Sequence, residues 1–167
     1  GPHEHPGGTA QGVMGAMMTR GDPAFLMPDE PTKGLDACVR HPVEDMFCQL
    51  RDQETGIFLI THDLRLARRI SDYTAVMYAG ELLEMGRTHD IFSRPRHPYT
   101  KGLLAAQPDL GLHPMEGKPP DLTDLKDGCI FGARCPLYAP GRCGKAISMD
   151  RAGEDHFVKC VRREEEP

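Results

Sequence analysis

Apolar positions come first as a short unbroken run and then at helical intervals. Ala24-Phe25-Leu26-Met27 runs into Pro28-Asp29-Glu30-Pro31-Thr32, the pattern of a buried parallel strand that delivers carboxylates to the C-terminal edge of a sheet. Beyond Gly34-Leu35-Asp36, the residues Val39, Val43, Met46, Phe47 and Leu50 recur at spacings of three and four. This predicts a helix that Pro42 starts or kinks, rather than lying within it, and that Gly56 ends. Ile57-Phe58-Leu59-Ile60 reads as a second strand, leading into Thr61-His62-Asp63 and a helix with Leu64, Leu66, Ala67 and Ile70 as its apolar positions. Thr74 to Tyr78 and Glu81 to Met85, joined by Ala79-Gly80, form a predicted hairpin. Strand and helix alternate up to about residue 86, so the expected fold class is α/β.

Two further helices are expected, one capped by Thr88 and running through Phe92, the other from Pro98 through Ala106. Pro108, Pro114, Pro119 and Pro120 follow, where regular structure is expected to fade. A boundary near 108 divides the chain into 1–107 and 108–167. The closing run Arg162-Arg163-Glu164-Glu165-Glu166-Pro167 has no apolar residue to tie it down and is expected to be solvated.

Composition narrows the function classes. The 167 residues, 39% of them hydrophobic, suffice for one compact domain and exclude a multidomain enzyme. A formal net charge of −5 without any basic block argues against a nucleic-acid surface. No stretch reaches the roughly 18 apolar residues of a membrane-spanning helix, and Gly1-Pro2-His3-Glu4-His5 lacks the features of a secretion signal, so a soluble cytosolic chain is expected.

The acid pair carries the first candidate chemistry. On an extended backbone, Asp29 and Glu30 point to opposite sides, so one can hold a hydrated Mg²⁺ while the other polarises an attacking water, as phosphate hydrolysis requires. Alone such a pair also suits a solvated acidic turn. The ordered set that follows, Pro31-Thr32, Leu35-Asp36 and a strand delivering His62, is more specific.

With those motifs the chain resembles the ATP-binding subunits of ABC transporters. Met27 to Thr32 match the Walker B strand and its acid pair, Gly34-Leu35-Asp36 the D-loop, and Ile60-Thr61-His62-Asp63 the switch-histidine loop. Pro6-Gly7-Gly8-Thr9-Ala10-Gln11 resembles the signature loop, with Pro6 in place of the family's serine, which removes a donor. The segments Tyr73 to Gly80 and Ile91 to Leu104, with Gly128-Cys129-Ile130-Phe131-Gly132-Ala133-Arg134-Cys135-Pro136, resemble the subgroup importing dipeptides, oligopeptides or nickel.

The resemblance implies a partial P-loop NTPase sheet with helices, followed by a loop-rich, cysteine-containing extension. It implies ATP and Mg²⁺ as ligands, with Glu30 and His62 catalytic, Asp29 on the metal, and Gly7, Gly8, Gln11 and Asp36 serving the nucleotide or the dimer interface. A second ATP-binding subunit and transmembrane permease subunits are the implied partners, and the inner face of the cell membrane the implied location. No Gly-x-x-x-x-Gly-Lys-(Ser/Thr) phosphate loop occurs in the sequence, so the chain is expected to be the C-terminal half of a subunit, inactive alone.

Six cysteines complete the picture. Cys38 and Cys48 stand alone in a helix-like stretch and are expected as buried thiols. Cys129, Cys135, Cys143 and Cys160 crowd the tail, where a metal would staple a segment poor in large apolar residues. A 4Fe-4S iron-sulfur cluster, zinc, and free or paired thiols are the alternatives, in that order. The competing function is a non-catalytic regulatory or assembly module built around that metal. His156 is expected at the surface or as a cap, with a place as substitute ligand to the tail metal as the alternative.

Overall fold

The computed structural model describes residues 24–108, 113–121, 123 and 127–162. Gly7, Gly8 and Gln11, and most of the charged C-terminal run, lie outside them. The chain forms two compact units, residues 1–71 and 72–167.

In the first unit, β1 (Phe25–Leu26) and β2 (Gly56–Ile57) pair in parallel. Their ladder continues to an Asp29–Ile60 bridge through Phe58 N–H to Leu26 C=O at 2.9 Å and Ile60 N–H to Pro28 C=O at 3.0 Å. Helix α1 spans Ala37–Asp52 and α2 spans Leu64–Ile70. Val43, Phe47 and Leu50 of α1 meet Leu66 and Ile70 of α2 in a core that also takes in Leu35, Leu26, Ile57 and Leu59. Alternate residues along this ladder and its extension to the bridge, Phe25, Met27, Phe58 and Ile60, are exposed.

Three expectations change here. Pro42 lies inside α1; it is exposed, so the carbonyl it leaves unpaired is on the wetted side of the helix. The helix stops at Asp52, with Glu54 taking the left-handed turn at φ 63°, before Gly56 opens β2. Cys38 is exposed and Cys48 half-buried against the core.

In the second unit, β3 (Tyr73–Tyr78) and β4 (Glu81–Arg87) form the expected hairpin, with Ala79 and Gly80 at φ 49° and 84°, as a two-residue turn of matching twist requires. Helices α3 (Thr88–Ser93) and α4 (Pro98–Ala105) follow. His97 caps α4, its Nδ1 accepting the Tyr99 N–H at 3.0 Å.

The tail is more regular than its prolines suggest. It contains a 3-10 turn at Gly132–Arg134, a short α5 (Pro140–Cys143), and two strands, β5 (Asp150–Gly153) and β6 (His156–Val158). They complete an antiparallel sheet in the order β3-β4-β6-β5. Residues on both sides of position 108 therefore share one sheet. Gly86 lets β6 approach β4, since a Cβ there would stand 2.9 Å from the Asp155 carbonyl oxygen. Phe131 is 1% exposed, packed with Tyr78, Tyr99 and Leu83, and Arg134 clamps the loop by donating to the carbonyls of Glu116 and Met115 at 2.9 and 3.1 Å.

Candidate functional site

The parallel strands end where the candidate carboxylates stand. Asp29 closes the ladder and is exposed; Glu30 is half-buried, and its N–H donates to the Ile60 carbonyl at 2.8 Å. Glu30 takes φ 48°, a left-handed conformation that a non-glycine residue adopts only where its surroundings compel it. That turn brings the carboxylate across to the second strand. The His62 backbone N–H donates to Glu30 Oε1 at 3.1 Å, and His62 Nδ1 lies 2.7 Å from Oε2, off the line of a good hydrogen bond. The histidine side chain is 75% exposed, so its ring remains free to meet a ligand.

Asp63 fixes the loop that carries His62. Its Oδ1 accepts the Arg65 and Leu66 N–H groups at 3.1 Å each, capping α2, while Oδ2 takes the Thr32 hydroxyl at 3.4 Å and faces Arg40 at 3.6 Å. Thr32 is 3% exposed, which ties the segment after Glu30 to the segment after His62. Asp29, Glu30 and His62 are thus gathered at one end of the parallel pair. Asp36 stands apart at the start of α1, exposed, and its side chain makes no capping bond.

The tail cysteines share one neighbourhood. Cys129 N–H donates to the Cys143 carbonyl at 2.8 Å, and the thiols of Cys129, Cys135 and Cys160 act electrostatically on one another or on Cys143. Burial pushes these three thiols up, and backbone N–H groups of Phe131, Leu137 and Arg162 pull them partly back. Among the described residues, however, no three His, Cys, Asp or Glu side chains are arranged to hold a metal ion.

His156, expected at the surface or as a cap, is buried instead. It is 5% exposed, and its Nε2 lies 2.7 Å from Oε1 of Glu84, itself fully buried. Glu84 also accepts the N–H groups of Arg96 at 2.6 Å and His97 at 2.9 Å. A carboxylate within the apolar run Leu82-Leu83-Glu84-Met85 is the sequence signal for such a hub, because a buried charge demands donors.

A family model described as "Oligopeptide/dipeptide transporter, C-terminal region" matches residues 83–143. The dipeptide transport ATP-binding protein DppD of Bacillus subtilis is 43% identical over 172 residues, covering 95% of this chain and 49% of the relative. The oligopeptide transport ATP-binding protein OppD of Salmonella typhimurium is 39% identical over 171 residues, covering 99% of this chain and 51% of the relative. OppD of Bacillus subtilis is 38% identical over 165 residues, with 95% and 46% covered. The chain spans about half the length of these relatives.

Proposed function

We propose that this chain, which belongs to the family of ATP-binding subunits of dipeptide and oligopeptide ABC importers, is the part of such a subunit that carries the hydrolytic carboxylate and the C-terminal extension. The observation that carries the reading is the double contact of Glu30 with His62 at the end of the parallel strands. Glu30 is placed to orient and polarise an attacking water, and His62 to approach the terminal phosphate from the same edge. Asp29, an exposed oxygen donor beside them, suits a hard cation held through water. Magnesium, when bound with ATP, supplies charge neutralisation at the phosphate oxygens.

The phosphate loop must be supplied by residues beyond these 167, since no such motif occurs among them. Gly7, Gly8 and Gln11 are assigned to nucleotide held by a second ATP-binding subunit, and Asp36 to the interface between the two. Permease subunits complete the assembly at the inner face of the membrane. Among the described residues no helix is long and apolar enough to cross a membrane. Co-purification with peptide-importer permease subunits tests the assignment: recovery of the chain in that complex supports it, and its absence from an otherwise intact complex overturns it.

For the tail cysteines we infer a 4Fe-4S cluster ahead of zinc. Support comes from the shared neighbourhood of the four residues and the backbone N–H groups aimed at three of the sulfurs. Anaerobic purification then yields a brown protein; a colourless protein with one zinc turns the assignment to zinc, and a metal-free ordered tail removes both.

A further inference from the structure

We propose that the second unit binds a small zwitterion through its free carboxylate, in the cavity between α3 and the β5–β6 turn. That the zwitterion is a short peptide rests on the importer assignment; the carboxylate site does not. The cavity measures about 330 Å³, at the lower end of the roughly 300–1,000 Å³ typical of small-molecule sites. Arg87, Arg94, Arg96, Asp90, Glu154 and His156 line it.

The contacts of the three guanidinium groups set one of them apart. Asp90 takes Arg94 at 2.5 Å. Arg87 reaches Asp155 at 3.0 Å and lies over the Tyr73 ring, 5.3 Å from its centroid. Arg96 forms no ion pair among the described residues, and its Nε is buried without a hydrogen-bond partner. A buried guanidinium donor lacking an acceptor is the complement of a ligand carboxylate, which a planar fork can bind through two parallel bonds.

The site is also held in place from beneath. Glu84 takes the Arg96 backbone N–H at 2.6 Å and His156 Nε2 at 2.7 Å, so the backbone bearing the free guanidinium and the wall opposite share one anchor. Pro95 and Pro98 stiffen the same segment. This Arg94-Pro95-Arg96-His97-Pro98 motif takes no part in the phosphate chemistry assigned to the first unit. Ligand charge follows from the remaining acids. Asp90 and Glu154 repel a second negative charge, which disfavours a phosphate dianion, and Glu154 at the exposed edge supplies the counter-charge for an ammonium.

Calorimetric titration of the chain with alanyl-alanine, its C-terminal amide, acetate and inorganic phosphate tests the site. Saturable binding of the dipeptide is expected, at least tenfold weaker for the amide and at least tenfold weaker in Arg96→Gln. Glu154→Gln is expected to weaken the dipeptide several-fold and to leave acetate unchanged. Ala152→Leu, which fills the cavity without altering charge, serves as the second variant, and thermal melts verify folding of each. No dipeptide binding, equal binding of the amide, tighter binding of phosphate, or full retention in both Arg96→Gln and Ala152→Leu overturns the proposal. Loss of dipeptide binding with importer assembly intact removes this site alone; binding intact without importer assembly removes the functional assignment and leaves the carboxylate site.

Discussion

Glu30 and His62, 32 positions apart, meet at one end of the parallel strand pair, where Oε1 accepts the His62 N–H at 3.1 Å and Oε2 lies 2.7 Å from Nδ1. The contact depends on an unusual backbone. The left-handed conformation of Glu30 turns the residue just beyond the Asp29–Ile60 bridge toward the loop after the second strand.

The loop bearing His62 is held by Asp63, and its removal is measurable. Asp63→Ala deletes the cap of α2 and the bond from Thr32, costing about 1–2 kcal/mol in urea unfolding of the chain. Asp63→Asn, which keeps an accepting oxygen, is expected to retain most of that stability.

Glu84 is the most demanding polar group in the second unit, being fully buried with three donors directed at it. Glu84→Gln keeps the volume but turns one accepting oxygen into a donor, facing N–H groups that then lack an acceptor. A loss of about 2–4 kcal/mol is expected by chemical denaturation. An unchanged midpoint would contradict its role as hub.

How much of this is legible in the sequence depends on distance along the chain. The strand ending in Asp29-Glu30, the strand ending before His62 and the Ala79-Gly80 hairpin are each written in contiguous residues, so period and turn chemistry suffice. His156 is not legible in this way, because its partner Glu84 lies 72 positions away and only the completed sheet joins them. The tail misleads for a related reason: its prolines signal loops, while Phe131 and β6 find their partners on the preceding hairpin. Pro42 inside α1 shows local propensity overridden where the helix buries Val43, Phe47 and Leu50.

Acid should loosen the second unit through His97. Burial holds its imidazole down to about 4 from an ordinary 6.5, and its Nδ1 must stay unprotonated to accept the Tyr99 N–H. Because the folded value lies below the unfolded one, the folded state binds fewer protons. Stability is full above about pH 6.5 and falls as pH drops toward 4, by up to about 3 kcal/mol. Denaturation at pH 7 and pH 4.5 should show this loss, reduced in His97→Asn.

Gly128 takes φ 98°, and a Cβ there would stand 2.4 Å from the Cys143 carbonyl oxygen. Gly128→Ala must therefore break the Cys129 to Cys143 backbone bond or shift α5. Faster amide exchange at Cys129 and across 140–144 is expected, with exchange in the first unit unchanged.

The central claim is that Glu30 is the hydrolytic carboxylate of a subunit completed by a phosphate loop from outside these residues. Phosphate release should be measured with Mg-ATP for the chain joined to the N-terminal half of a peptide-importer ATP-binding subunit, in wild-type and Glu30→Gln forms. The account predicts turnover that falls at least 100-fold in Glu30→Gln while nucleotide binding persists, and no turnover by the chain alone. Turnover equal in the two forms, or hydrolysis by the isolated chain, would contradict it.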